Sequence, residues 1–343
     1  MKNIFFSLIL TLSPYALSSE ISVMTFNVEN LFDTKKDPGK EDHTFLPIEV
    51  KSTNEIKSFC QKLKGHYKKE CYNLDWDQQV LAQKMKNLSR VILSYNNGRG
   101  PDVLMLTEVE NNSVLTQLNN NFLKAAGYQT QVIVEGPDPR GIDVALLSRL
   151  KMDNKPELHL LTKNSRGLLE VHLRTPEGSI LKVFVGHFPS QRNPRSSRQQ
   201  HVEKSVEILS QLENQMYILG GDLNISAHEE KETGFFRKHF SKVGLVGHLV
   251  ACQNCSGTHK YRGQWSFLDT LIFSKNLGED ENSPYILDKS SLQVHSKDTN
   301  HIRKGQPQRF NPDSGTGVSD HLPMVGILKL RDKKPKTSHP NRH

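Results

Sequence analysis

A polar triplet, Ser319-Asp320-His321, opens the apolar run Met324-Val325-Gly326-Ile327-Leu328 near the end of this 343-residue chain. An acceptor-only carboxylate beside an imidazole at the mouth of a buried strand suits metal-assisted hydrolysis. Asp320 would serve the cation, and His321 would take a proton from water. Alone, the triplet reads equally as a loop-to-strand turn with an incidental histidine. Upstream, Asn27, Glu108, His187, Asp222 and Asn224 stand at the C-terminal ends of four strand-like runs, while Asp269, Asp320 and His321 stand at the starts of two others. If those two strands run antiparallel to the four, all eight side chains meet on one rim. Carboxylates crowded there repel one another unless a cation joins them. Glu108 and Asp320, helped by Asn27 or Asp222, make the hard oxygen set that Mg2+ prefers, with waters filling the rest. Each residue has a plain alternative: a turn former at Asn27, a helix-start acid at Glu108, an Asx turn at Asp222-Leu223-Asn224, a satisfied core histidine at His187. Six polar strand ends in one chain favour the joint reading.

The elements that must position these groups follow in order. Residues 21–28 read as a strand. Residues 76–94 carry a helical apolar stripe, with Asp75 as N-cap. A buried-type strand at 102–108 ends on Glu108, and an amphipathic stretch at 113–126 closes on Gly127. Further strands are expected at 141–147, 216–221, 268–273 and after His321 to about 330, and a helix at 198–212. Residues 169–174 and 180–186, joined by Pro176-Glu177-Gly178, form a hairpin that delivers His187. This mixture of strand–helix–strand units and hairpins predicts an α/β fold in which mixed sheets pack together with helices outside. One domain over 19–330 is expected, with a polar, lysine-rich surface insertion at about 34–75 and a frayed basic tail at 331–343.

Hydrophobic residues make up 35% and charged residues 24%, a globular composition, and the formal net charge of +8 favours a polyanionic partner. Lys2 followed by the short apolar run 4–12 and the small residues around Ala16-Leu17-Ser18 reads as a signal peptide over 1–18. An exported chain, extracellular or periplasmic, is therefore expected, with no stable membrane insertion. In an oxidising compartment the four cysteines read as two disulfides, Cys60–Cys71 and Cys252–Cys255. The alternative for the second pair is a zinc site assisted by His248 or His259.

The residues 25–33 (Thr-Phe-Asn-Val-Glu-Asn-Leu-Phe-Asp), Thr107-Glu108-Val109-Glu110-Asn111, the run 140–147, Gly186-His187-Phe188, Gly220-Gly221-Asp222-Leu223-Asn224, Leu268-Asp269 and Ser319-Asp320-His321 together resemble the endonuclease/exonuclease/phosphatase superfamily with the DNase I-like fold, and within it an exported bacterial nuclease-like branch. The resemblance implies a four-layered α/β sandwich, two mixed β-sheets face to face with helices outside, and phosphodiester hydrolysis with Mg2+ or Mn2+. It implies Glu108 as principal metal ligand supported by Asn27 and Asp320, and His321 as general base oriented by Asp269. Asp222 and Asn224 would hold the scissile phosphate or position the nucleophile, and His187 would be the general acid. Asp143 is a candidate to orient His187; a salt bridge to Arg140 or Arg149 is its plain alternative.

Arg192, Arg195 and Arg198 follow His187 closely and Arg309 precedes the triplet, which makes them candidate substrate contacts, or simply solvated basic loops. The leading expectation is a monomeric, secreted nuclease with DNA as its nucleic acid substrate and RNA as a further option. A phosphodiesterase of lipid or inositol phosphate head groups is the alternative, and a non-catalytic binding relative is a more distant one.

Overall fold

The computed structural model describes residues 20–163, 165–252, 255–278, 280, 282–295 and 297–332. The expected signal segment (1–18) and all of the basic tail beyond Asp332 lie outside the described residues.

Successive side chains of a strand point to opposite faces, and the chain uses both. In β1 (Glu20–Leu31), Ile21 and Val23 join one buried cluster while Met24, Phe26 and Val28 join another. β1 lies inside a six-stranded sheet whose order is β14 (Tyr285–Val294), β17 (Met324–Leu330), β1, β2 (Val103–Val109), β4 (Asp143–Ser148), β3 (Thr130–Ile133). The second sheet runs β10 (Gly244–Val246), β13 (Asp269–Ser274), β9 (Tyr217–Asp222), β8 (Ile180–His187), β7 (Leu168–Arg174), β5 (Lys151–Met152), with β6 (Glu157–His159) also paired to β7. Two small hairpins, β11 (His259–Tyr261) with β12 (Gln264–Ser266) and β15 (Ile302–Arg303) with β16 (Gln306–Pro307), stand outside them.

The two sheets pack face to face. Val23, Met105 and Leu146 of the first meet Val171, Val183, Ile218 and Leu271 of the second in one cluster. Burying each such aliphatic side chain is worth about 1.5–3 kcal/mol, so this layer ties the sheets together. On the outer side of the first sheet, helix α3 (Gln78–Leu93) lays Leu81, Met85, Leu88 and Ile92 over Phe26, Leu104 and Leu106. On the outer side of the second, Val202 and Leu209 of α5 (Arg195–Ser210) cover Phe184 and Leu219. The fold is the expected four-layered sandwich.

Three local expectations are corrected. The cap of α3 is Asp77, whose Oδ1 accepts from the amides of Gln79 and Val80 at 2.8 Å; Asp75 instead accepts from the Ile48 amide. The amphipathic stretch starts at α4 (Asn112–Gln117), capped by Asn111, and then loosens into irregular turns before closing on Gly127, whose φ of +67° suits glycine. The insertion is more ordered than its composition implied. It holds α1 (Asn54–Lys62) and α2 (Gly65–Asn73), stapled by Cys60–Cys71 around a small core with Leu46 and Ile56. That core draws on few residues of each helix, so it leaves no clear period in the sequence. Cys252 and Cys255 are likewise disulfide-bonded, and His248 donates to or accepts from Thr270, so no zinc site forms there.

Candidate active site

The inward-facing parity of each strand continues into its polar end. Val23 faces the other sheet, so by period two Asn27 does as well. Val183 and Val185 bring His187 to the same face, Ile218 and Gly220 bring Asp222, and Leu271 and Phe273 bring Asp269. β8 and β9 are parallel with His187 opposite Asp222, and β13 runs antiparallel to β9 with Asp269 opposite Asp222. β17 runs antiparallel to β1. The orientation on which the rim depended is therefore the one observed. Gly221 makes the tight register of β8 and β9 feasible, because a Cβ there would lie 1.9 Å from the Gly186 carbonyl oxygen.

Asp222 is the hub. Its Oδ2 accepts from Asn27 Nδ2 at 3.0 Å and lies 3.6 Å from His187 Nε2 and 3.9 Å from His321 Nε2. Asn27 Nδ2 also reaches Glu108 Oε1 at 3.3 Å, and His187 Nε2 is 3.8 Å from that oxygen. Glu108 sits where β2 breaks register with both neighbours, at φ +66°. Its second oxygen accepts from the Asn30 amide at 2.9 Å. His321 Nδ1 meets Asp269 Oδ2 at 2.6 Å, and Asp320 Oδ1 lies 3.9 Å from His321 Nε2. Ser319 locks the triplet to β1: its hydroxyl donates to the Asn27 carbonyl at 2.7 Å and accepts from the His321 amide. Asn224, also at positive φ, donates its amide hydrogen to Asp222 Oδ1 and its side-chain amide to the Phe188 carbonyl.

Electrostatics separate these groups. Burial opposes ionisation of Glu108, but His187, Arg140, Arg166 and His321 outweigh it and hold the carboxylate down at about 2. Burial raises Asp222 to about 7, with Asp269 adding to the rise and His321 offsetting it. Burial, and after it Arg166, push His187 well below its usual value. His321 goes the other way: burial would lower it, but Asp269 and Asp222 overcome that and raise it well above. The two imidazoles of one pit are thus shifted in opposite directions, each away from the base or acid role expected of it.

Glu108 and Asp320 are the carboxylates that face the mouth, 18% and 25% exposed at the side chain. Both feel Lys84 and Arg309. An ionised, partly open carboxylate in a cleft that Asp320 also lines, where Asp320 lies with His259 and His321 in a cluster of possible ligand atoms, fits a hard divalent cation. Asn27 is a correction here. Its Oδ1 accepts from the Glu29 amide at 2.9 Å and its Nδ2 faces the carboxylates, so in this structure it joins Glu108 and Asp222 by hydrogen bonds through nitrogen.

Asp143 is a second correction. Its Oδ1 accepts from the Gly136 amide at 2.9 Å, its Oδ2 is buried without a partner, and so is Nδ1 of His187; no hydrogen bond joins the two residues. Arg198 is a third. It is 3% exposed, pairs twice with Glu229 at 2.8 and 2.9 Å and donates to the carbonyls of Ser190 and Asn193, so it braces the loop and does not face substrate. Arg195 pairs with Glu232 on the surface. Arg309 bridges Glu29 and Asp320, and Arg192 lies over the Tyr67 ring; both line the cleft that holds Glu108, His187, Asp222 and His321, a space of about 1340 Å³.

Lys84 and Arg166 also line this cleft and were not singled out in the sequence, and His259, considered there only as a zinc partner for the second cysteine pair, lines it too. Lys84 was findable: it interrupts the apolar face Leu81, Met85, Leu88 of α3, where a lysine is out of place. It is 1% exposed, donates to the Val318 carbonyl at 3.2 Å, and is pushed down to about 8 by burial against the pull of Glu29 and Asp320. His259 packs beside His321 with ring centroids 4.8 Å apart, a contact made by the β11 backbone and invisible to local pattern.

Comparison with known proteins agrees with this architecture. A truncated Caenorhabditis elegans TDP2 superposes with a TM-score of 0.54 at 16% identity, covering 91% of this chain and 98% of that one. D. rerio TDP2 complexed with single strand DNA product gives 0.53 at 16% identity, over 91% of this chain and all of the other. The mannosyl-6-phosphatase of Bacteroides thetaiotaomicron gives 0.55 at 13% identity, over 90% and 100%. At such identities the likeness is one of fold. Among curated proteins, none matches by sequence. The model of the Endonuclease/Exonuclease/phosphatase family matches residues 66–330, well over half of the chain. With that match and this sandwich, the chain belongs to the endonuclease/exonuclease/phosphatase family of divalent-metal-dependent phosphoester hydrolases.

Proposed function

We propose that the protein is an exported nuclease that hydrolyses phosphodiester bonds of DNA, and of RNA, with Mg2+ or Mn2+. The observation that carries this reading is the convergence on Asp222 of Asn27, His187 and His321, with the ionised Glu108 at the open side. Glu108 and Asp320 would hold the cation, which supplies Lewis-acid polarisation of the phosphate and a more acidic bound water. Asp222, raised to about 7, would take the proton from that water, and His321, fixed by Asp269 and shifted towards the protonated ring, would stabilise the charge that develops on the phosphate oxygens. His187 and Asn224 lie within the same cleft as hydrogen-bonding groups for the phosphate oxygens and the leaving oxygen. The net charge of +8 and the arginines on the cleft wall suit a polyanion. D. rerio TDP2, which shares the fold, is known with a DNA product.

A second reading, hydrolysis of a lipid head group, is favoured by one feature. The insertion exposes Ile48, Val50 and Tyr67, each more than 40% accessible, as a surface that docks on lipid would. Plasmid degradation with and without EDTA, run beside hydrolysis of phospholipid vesicles and of a sugar phosphate, separates these activities. Cation-dependent loss of plasmid is expected. Lipid turnover with intact plasmid would overturn the first reading.

A further inference from the structure

The insertion, which the core pattern does not require, reaches across the cleft. Tyr67 of α2 lies under the guanidinium of Arg192, 4.5 Å from ring centroid to Cζ, and Arg192 belongs to the loop that leaves His187 on the opposite sheet. Both residues line the space that holds Glu108, His187 and Asp222. Arg192 differs from its neighbours in charge balance. Arg195 and Arg198 have Glu232 and Glu229, and Arg309 has Glu29 and Asp320, whereas Arg192 has no carboxylate partner among the described residues. A guanidinium packed over an aromatic ring still has N–H donors to offer a phosphate and a side turned away from the ring on which a base can pack. Across the cleft, Tyr261 of β11 is 64% exposed and carries Arg262 over its ring at 5.3 Å. The Cys60–Cys71 staple holds the arm that carries Tyr67.

We propose that the disulfide-tied insertion is a reading arm for an unpaired nucleotide of the substrate: Tyr67 holds the Arg192 plane at the cleft wall, where its edge meets a backbone phosphate and its face a nucleobase. This rests on the nuclease reading. Bases in a duplex hide their ring faces against their neighbours, so a stacking platform selects single strands, loops or chain ends. The unneutralised arginine favours a nucleotide over a lipid tail.

Binding of a labelled single-stranded oligonucleotide to the EDTA-treated full chain, followed by fluorescence anisotropy, tests the arm without turnover. Tyr67→Ala, Arg192→Ala and Arg192→Lys should each weaken that binding about tenfold, and blunt duplex binding by less than twofold. Tyr67→Phe should behave as wild type. With Mg2+, the ratio of oligonucleotide to bis(p-nitrophenyl) phosphate kcat/KM should fall about tenfold in the first three variants, since the small diester has no base to read. Equal losses for duplex, or wild-type binding by Arg192→Lys, overturn the inference by reducing the contact to charge alone. Wild-type DNA cleavage with unaltered variants sinks the arm and spares the nuclease. Binding of the wild type to anionic phospholipid vesicles but to no oligonucleotide sinks both.

Discussion

His321 Nδ1 and Asp269 Oδ2 stand 2.6 Å apart at the floor of the cleft, Asp269 beneath the reach of solvent and His321 just at its surface, although they lie 52 positions apart in the chain. The contact fixes the imidazole so that Nε2 faces Asp222 and Asp320, and the Asp269 carboxylate favours the protonated ring, which raises the pKa of His321. Replacing Asp269 by Asn keeps the shape and removes the charge. Turnover of a phosphodiester should fall roughly 10- to 100-fold with little change in substrate affinity, as steady-state kinetics would show. Activity within threefold of wild type would contradict the role.

Glu108→Gln removes the carboxylate that stays ionised in the mouth. Calorimetric titration with Mn2+ should lose the binding seen in the wild type, and diester hydrolysis should drop about 1000-fold or more. Because glutamine tolerates the same backbone geometry no worse than glutamate, circular dichroism should be unaltered. Wild-type Mn2+ affinity in the variant would place the cation elsewhere.

Arg198→Ala tests the structural role given to this arginine. It leaves the buried Glu229 carboxylate with only Gln191 and the more distant Arg195, and the unfolding free energy in urea should fall by about 2–4 kcal/mol. A double variant, Arg198→Met with Glu229→Gln, should recover most of the loss. A single variant of native stability with weakened nucleic acid binding would return Arg198 to the substrate.

His248 gives the fold a pH limb of its own. It is stacked on Phe267 with ring centroids 4.5 Å apart, and burial, followed by Arg237, pushes its pKa from the usual 6.5 down to about 3. The folded state therefore favours the neutral ring. Its contribution is complete above 6.5 and is lost as pH falls from 6.5 towards 3, where the unfolded chain takes up the proton first. In EDTA, the stability gap between wild type and His248→Asn should be on the order of 2–4 kcal/mol at pH 7 and should narrow steadily by pH 4. A gap that does not change with pH would show that the ring contributes packing alone.

The strand ends carried most of what could be read locally. The apolar runs in residues 21–28, 102–108 and 216–221 mark buried strands, and a strand's parity decides which of its terminal residues faces the neighbouring sheet. Asn27, Glu108, His187, Asp222, Asp269 and His321 could therefore be listed from sequence, and the four-layered sandwich followed from the same runs and the family motifs. What no local pattern holds is distance between strands. That Asn27 turns its nitrogen to Asp222, that Asp143 stops short of His187, and that Arg198 is consumed by Glu229 depend on register and on helix α6 (Ala227–Thr233), which carries Glu229. The insertion shows the same limit. Its lysines and cysteines announce a stapled surface loop, but only packing on Leu46 and Ile56 makes it two helices and carries Tyr67 to Arg192. The sequence by itself determined which side chains point inward, because the two-residue period is a property of a single strand. Only the tertiary structure decided which of them touch and which way each hydrogen bond runs, because those depend on elements far apart in the chain meeting at ångström separations.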